Sequence, residues 1–204
     1  MLEQHARDYK PAACWRDLGT ARTKLDMLRV CSGLGLHVHE LAGIVEPASA
    51  AHPFGVCTCG SDKKNSNGKH PIPNRWQTLP FDMERVERAL IREPRLNLGW
   101  RMGQQPSGDT IICFDVDGPR SLLDPLEAKF GKLPETLTAS SGKGLHLFFR
   151  LAETSTVPKN TKLCGIKEID IRSTGGQVVI APSTHYSGRE YQWVNCIEPA
   201  ELDL

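Results

Sequence analysis

The stretch Thr110 to Gly118, with the sequence TIICFDVDG, constrains the fold of this 204-residue chain more than any other. Its apolar, β-forming first half predicts a short buried strand, and Asp117 and Gly118 begin a turn. Side chains alternate along a strand, so Asp115 and Asp117 are expected on one face. Two like charges this close favour a cation between them, and Mg²⁺ or Mn²⁺ takes such oxygen ligands. The alternative is a polar strand end whose carboxylates are solvated.

Composition limits the classes of protein that fit. The chain has 25 Lys and Arg against 24 Asp and Glu, a net charge of +1, so a nucleic-acid partner requires a local basic groove. It has no apolar run long enough to span a bilayer, and Met1 to Lys10 is too polar for a signal peptide, so we expect a cytoplasmic protein. The seven cysteines are an odd number and indicate a reduced compartment.

Hydrophobic periodicity predicts three helices and several strands. The expected helices are Trp15 to Val30, Phe81 to Glu93 and Ser121 to Phe130. The expected strands besides the one at Thr110 are Leu36 to Leu41, Asn97 to Gly103, Leu145 to Phe149, Lys167 to Arg172, Gln177 to Ala181 and Tyr191 to Val194. From residue 110 to 195 we expect a strand meander with helices to one side.

His37 and His39 alternate in the sequence LHVHEL and should share one face of a strand. Paired histidines of this kind also occur in metal-dependent nicking enzymes of the rolling-circle type, which need a tyrosine nucleophile. Tyr9, Tyr186 and Tyr191 are the candidates here. A structural role for both histidines is the alternative.

Residues 43–76 form a loop-rich region with several metal-ligating side chains. Cys57, Cys59, His52 and His70 could close a tetrahedral Zn²⁺ site and give this region a fixed shape. The region is also basic and could contact a nucleic-acid template, although a solvated surface loop fits the charges equally well. Its basic residues are Lys63, Lys64, Lys69 and Arg75.

A glycine-rich turn precedes the strand at Leu145 and carries donors suited to phosphate. Ser141 and Lys143 lie in the turn, and His146 follows it. Glycines let the backbone approach an anion closely, so this turn could hold a triphosphate, or it could be a simple hairpin. Asp170 lies between two isoleucines in a predicted strand, where a carboxylate must be paired or must bind a cation.

These elements resemble, in their order, the three motifs of the archaeo-eukaryotic primase superfamily. The motifs are Asp-x-Asp at Asp115, Ser-Gly-x-Gly-x-His ending at His146, and hydrophobic-Asp at Asp170. The flanks resemble the bifunctional primase-polymerase branch of plasmids, phages and mobile elements. There GKHP precedes a tryptophan, as Gly68 to Pro71 precedes Trp76 here, and the stretch DIRSTGGQVVIAPSTHYSG resembles the last motif.

The resemblance implies a fold, a reaction and roles for the matched residues. The implied fold class is α+β, a primase-polymerase fold with an RRM-like antiparallel catalytic sheet flanked by helices. Asp115, Asp117 and Asp170 would ligate two Mg²⁺ or Mn²⁺ ions. The nucleotide phosphates would contact Ser141, Lys143, His146 and Arg172. The implied reaction is nucleotidyl transfer with dNTPs or NTPs on a single-stranded DNA template with a primer.

The predicted organisation is an N-terminal helical segment (1–32), a catalytic domain (33–195) and a C-terminal tail (196–204). Many relatives continue into a helicase, so a replicative helicase is an expected partner, and the chain is either free-standing or a fragment. A non-catalytic single-stranded DNA-binding domain is an alternative to the polymerase.

Overall fold

The computed structural model describes residues 13–60 and 66–203. Its helices are α1 Lys24–Gly33, α2 Met83–Arg92 and α3 Asp124–Phe130, with short 3-10 turns at Trp15–Gly19, Arg120–Leu123 and Leu163–Gly165. Its strands are β1 Val38–Leu41, β2 Ile44–Glu46, β3 Val56–Cys57, β4 Asn97–Arg101, β5 Gly103–Gln104, β6 Thr110–Val116, β7 Thr138–Ser140, β8 Leu145–Leu151, β9 Thr161–Lys162, β10 Ile169–Arg172, β11 Gln177–Ile180, β12 Gln192–Asn195 and β13 Ala200–Leu202.

The main sheet has the strand order β12-β7-β8-β6-β10-β9, and every neighbouring pair in this order is antiparallel. The short strand β5 pairs with β6 in antiparallel orientation, and β13 pairs with β8 in parallel orientation. The strand at Thr110, predicted from its apolar run, is therefore central. A smaller sheet has the order β1-β4-β11, and β2 pairs with β3.

The two faces of the main sheet have different partners because side chains alternate along each strand. Ile112, Phe114 and Val116 point to the outer face and pack beneath α3. Ile111 and Cys113 point to the opposite face, which we call the inner face. The inner face shares one core with α1, α2 and the small sheet, and the core residues from those elements include Met27, Val86, Leu98 and Val178.

The prediction of a single helix from Trp15 to Val30 was wrong. A 3-10 turn ends at Gly19, and α1 begins at Lys24. Thr23 caps this start, since its side chain accepts a hydrogen bond from the backbone N–H of Asp26 and the Asp26 carboxylate accepts one from the Thr23 backbone N–H. Periodicity does not register this capping box, which explains why the start was placed too early.

The prediction of a meander over residues 110–195 was also wrong, because β6 lies between β8 and β10 and does not neighbour β7. The strand predicted at Gln177 forms, but β11 leaves the main sheet and pairs with β4 in the small one. The broader expectation of a mixed α/β protein with a large antiparallel sheet and few helices is confirmed. The amphipathic helix predicted near Phe81 is confirmed as α2, with Val86 and Leu90 buried.

The predicted domain boundaries stay predictions, although β13 brings residues 200–202 into the main sheet. None of the helices within the described ranges has the length and hydropathy needed to cross a bilayer.

The packing of the inner face predicts a large stability difference between two phenylalanines. Phe148 is fully buried and its ring stacks on Trp100 at 4.7 Å, whereas Phe130 is 67% exposed. Phe148→Ala should lower the free energy of unfolding by about 3–5 kcal/mol. Phe130→Ala should change it by less than about 1 kcal/mol. Urea unfolding measures both, and similar losses for the two variants would contradict the assigned core.

Candidate active site

The inner face of the main sheet changes character along its strands. It is apolar at Ile111 and at the cross-strand pair of Cys113 and Phe148. The next cross-strand pair on this face is polar and charged. There Asp115 on β6 lies directly opposite Asp170 on β10 and His146 on β8. Lys162 on β9 lies opposite Asp170 and extends the row over four strands. Antiparallel register thus places two carboxylates from distant parts of the chain next to each other.

Three cationic or hydrogen-bonding side chains hold this carboxylate pair. Arg172 Nη2 lies 3.3 Å from Asp115 Oδ2 and 3.1 Å from Asp170 Oδ2, and so bridges the two. Lys162 Nζ binds the other oxygen of Asp170 at 2.8 Å. His146 Nε2 lies 3.4 Å from Asp115 Oδ1. Each carboxylate is therefore contacted on both of its oxygens.

The charge balance at Asp115 follows from these contacts. Burial alone raises the pKa of Asp115, but the hydrogen bond and charge of His146 and the charges of Arg172 and Lys69 outweigh burial. The pKa of this carboxyl is thus held well below its usual range. A carboxylate that stays ionised while mostly buried is suited to binding a cation.

Asp117 follows β6 directly and is exposed. Its backbone N–H donates to the carbonyl of Glu168, which fixes the end of β6 against the segment leading into β10. Electrostatic interactions link both Asp115 and Asp117 to Lys69, so the two carboxylates of the DVDG motif share one environment. Hard oxygen ligands from Asp115, Asp117 and Asp170 fit the ligand preferences of Mg²⁺ and Mn²⁺.

The glycine-rich turn closes over the end of β6. The Ser141 hydroxyl accepts hydrogen bonds from the backbone N–H groups of Lys143 and Gly144, and the Ser141 N–H donates to the Gly144 carbonyl. Gly144 is required because a Cβ there would lie 1.9 Å from the Val116 carbonyl oxygen. Lys143 is exposed. The hydroxyl predicted to contact phosphate is therefore engaged inside the turn, while the lysine projects from it.

Two residues of this environment received no specific role in the sequence analysis. His185 is buried against the turn, since a Cβ on Gly142 would lie 2.2 Å from its Nδ1. Burial and the charges of Lys69, Lys143 and Arg189 lower the pKa of His185 to about 4, so this histidine is neutral at pH 7. Lys69 belongs to the GKHP motif and was grouped with the basic residues that could contact a template, whereas His185 lies within the stretch DIRSTGGQVVIAPSTHYSG and was given no role of its own.

The residues of this site lie within a segment that matches a known protein family. The family model described as bifunctional DNA primase/polymerase, N-terminal (Prim-Pol), matches residues 28–203. The chain belongs to the Prim-Pol family. A search of curated proteins found no match. Family membership implies activity of the DNA primase/polymerase type, with DNA and nucleotides as substrates.

The Prim-Pol domain brings together three of the four predicted zinc ligands. The ligand atoms of Cys57, Cys59 and His70 all lie within 4.8 Å of one another, and Cys59 Sγ lies 3.2 Å from Cys57 Sγ and 3.3 Å from His70 Nδ1. His52, the fourth expected ligand, lies outside this group, and its backbone hydrogen-bonds to Ser49 in a turn before β3.

The histidines considered for a nicking enzyme occupy a packed environment in the Prim-Pol domain. His37 and His39 are buried, and their rings lie against Phe81 and Trp76 respectively. Burial, together with nearby charges, lowers the pKa of His37 to about 3 and that of His39 to about 4. His39 Nε2 is 2.5 Å from Gln177 Oε1. These contacts fit a structural role.

Two of the candidate tyrosines can be placed. Tyr191 is buried beside His146, with ring centroids 5.9 Å apart, and burial raises its pKa. Tyr186 packs against His185. Tyr9 lies outside the described residues. A buried phenol with a raised pKa is a poor nucleophile, so Tyr191 does not support a nicking reaction.

The close approach of the turn to β6 predicts a specific effect of Gly144→Ala. Its Cβ would meet backbone atoms of Val116 and Gly118, so the turn must move, at a cost of about 1–3 kcal/mol in the free energy of unfolding. We expect loss of primer extension as Lys143 is displaced. Gly108→Ala is the control: it strains a positive φ but meets no atom within 4 Å. Loss of stability without loss of activity is expected there, and equal activity of both variants would contradict the role of the turn.

Proposed function

We propose that this Prim-Pol chain is a template-dependent nucleotidyltransferase that extends or initiates primers on single-stranded DNA with dNTPs or NTPs. One observation carries the proposal: Asp115 and Asp170 lie directly opposite each other on adjacent strands, with Asp117 beyond them and the glycine turn of Lys143 over the same strand end. The proposed fold is correspondingly of the primase-polymerase type, with the main sheet as its RRM-like catalytic sheet.

The carboxylates are the proposed ligands of two divalent cations. Asp115, Asp117 and Asp170 supply hard oxygen donors, and the positive charge of Arg172, which bridges two of them, supports a preference for cations at this position. When bound, a pair of Mg²⁺ or Mn²⁺ ions lowers the pKa of a primer 3′-hydroxyl and neutralises the leaving pyrophosphate.

The other polar residues would position the carboxylates and the nucleotide. His146 contacts Asp115 and fixes the orientation of its carboxylate, as hydrogen-bonding partners of metal ligands commonly do. Arg172 and Lys143 carry the charge that the triphosphate requires. Ser141 shapes the turn through its backbone contacts. Arg172 is 37% exposed, so its guanidinium has room to move from the carboxylates towards a phosphate.

Cys57, Cys59 and His70 are the proposed ligands of a structural Zn²⁺. Two thiolates and an imidazole are the donors that tetrahedral zinc sites use, and Cys57 and His70 come from separate segments that a metal would join. In this proposal the ion fixes the loop-rich region between β2 and α2 and takes no part in catalysis.

Two alternatives are tested by the same assays. A nicking endonuclease would form a covalent tyrosyl–DNA product, for which the buried His37 and His39 offer no open metal site. A non-catalytic single-stranded DNA-binding domain would bind template without releasing pyrophosphate. No feature of the described site favours either over the polymerase.

Removal of any of the three carboxylates should abolish synthesis. Asp115→Asn, Asp117→Asn and Asp170→Asn should each lower Mg²⁺- or Mn²⁺-dependent primer extension by at least about 100-fold, because each removes charge that stabilises the cations. The measurement is extension of a labelled primer on a single-stranded template, with a parallel reaction lacking primer. The exposed Asp124 provides the control, Asp124→Asn, which should retain activity.

Thermal unfolding must accompany this assay, because Asp170→Asn also removes the ion pair of Lys162 and one of the two ion pairs of Arg172. If the three carboxylate variants are folded and still extend the primer, the proposal is wrong. Template binding by the wild-type chain without any pyrophosphate release would favour the non-catalytic alternative.

The zinc proposal predicts different metal contents for two histidine variants. Wild-type protein should contain about one zinc per chain, and His70→Ala should lose it, as should Cys57→Ser. His52→Ala should keep it, since His52 lies outside the cluster. Chelation should lower the melting temperature of the wild type. Elemental analysis of purified variants measures the content, and zinc retained by His70→Ala but lost by His52→Ala would reverse the assignment.

A further inference from the structure

The segment from Asn67 to Ile72 is fixed at nearly every residue by hydrogen bonds. Asn67 Nδ2 donates to the carbonyls of Phe54 and Gly55. Asn97 Nδ2 donates to the Gly68 carbonyl at 2.9 Å, and Gln177 Nε2 donates to the Lys69 carbonyl at 2.8 Å. The next three residues extend the small sheet beside β1. The Ala42 N–H donates to the His70 carbonyl, and the Ile72 N–H donates to the Glu40 carbonyl. Between them, Pro71 forms an antiparallel β-bridge with Leu41.

This backbone arrangement sets the position of the Lys69 side chain. Gly68 has a φ of +77°, and a Cβ there would lie 3.0 Å from Ile44 and 3.2 Å from the Asn97 amide, so the chain before Lys69 has little room to vary. Gln177 is itself held, because its Oε1 contacts His39, whose ring stacks on Trp76. A lysine on a backbone fixed from both sides is presented in a defined direction.

Lys69 is partly buried and interacts electrostatically with Asp115, Asp117, Lys143 and Arg172. Unlike Arg172 and Lys162, it forms no ion pair at hydrogen-bonding distance with the described residues. Its charge therefore acts on both the acidic end of β6 and the cationic glycine turn. Lys69 and Lys143 belong to one electrostatic environment, and neither forms an ion pair within the described residues, which favours an anionic ligand at this site.

We propose that Lys69 binds the phosphate groups of the incoming nucleotide together with Lys143. The proposal rests on the proposed polymerase function and assigns a further substrate contact to that site. It also gives the GKHP motif a physical meaning: Lys69 contacts the substrate, while Gly68, His70 and Pro71 fix the backbone on either side of it.

The test measures nucleotide binding separately from synthesis. Isothermal titration of a non-hydrolysable deoxynucleoside triphosphate with Mg²⁺ present gives the affinity, and primer extension gives KM and kcat. Lys69→Met keeps the length of the side chain and removes its charge. It should weaken triphosphate binding by roughly 10- to 100-fold, the usual effect of losing a hydrogen bond to a charged group, and should raise KM for the nucleotide. Lys69→Arg should restore most of the affinity.

Lys132→Met is the matched control, because Lys132 is exposed and lies with Phe114 on the outer face of the main sheet. It should bind and extend as the wild type does. Circular dichroism and zinc content establish that Lys69→Met is folded, which matters because His70 is the next residue.

Unchanged triphosphate affinity in folded Lys69→Met would overturn the proposal. So would tighter Mn²⁺ binding without any loss of nucleotide affinity, since Lys69 would then only balance the charge of Asp115 and Asp117. If the wild type binds triphosphate, Lys69→Met weakens that binding, and neither extends a primer, then the polymerase function fails while the phosphate contact stands. Absence of triphosphate binding by the wild type would overturn both.

Discussion

The rest of the site depends on the pairing of Asp115 with Asp170 across β6 and β10. Two carboxylates side by side on a sheet repel each other, and each is largely withdrawn from water, so the arrangement is stable only when positive charge surrounds it. Arg172 and Lys162 provide that charge from two strands, and His146 contacts Asp115 from a third. The repulsion between the two carboxylates destabilises the fold unless cations are near, and for the same reason the pair is a good binding site for cations. The stability of the site and its proposed function therefore depend on the same charges.

The fold presents this pair by changing one face of one sheet from apolar to charged. Over its first part the inner face packs with the small sheet and two helices, and there Phe148 stacks on Trp100. The charged end follows directly, so the core anchors the strands that carry the carboxylates. His70, one member of the cluster of Cys57, Cys59 and His70, directly follows Lys69 in the sequence. One peptide segment therefore couples the shape of the loop-rich region to the active site.

The sequence predicted most local features of this site but few of its long-range ones. Strand alternation predicted that Asp115 and Asp117 share one environment, and the Cys-x-Cys spacing predicted that Cys57 and Cys59 are neighbours. Sequence could not give the register that sets Asp170 opposite Asp115, because register depends on pairing between segments more than fifty residues apart. For the same reason β11 was expected in the main sheet. The GKHP motif includes Lys69, but charge alone did not separate it from the other basic residues of its region, because charge does not say which lysine is fixed by buried amides.

Anomalous diffraction from crystals grown with Mn²⁺ and a non-hydrolysable deoxynucleoside triphosphate tests the central claim most directly. We expect manganese coordinated by oxygens of both Asp115 and Asp170, with the triphosphate bound beside the glycine turn and Arg172 moved from the carboxylates to a phosphate. Manganese bound elsewhere, with Arg172 still bridging the two carboxylates while the nucleotide is bound, would contradict the account.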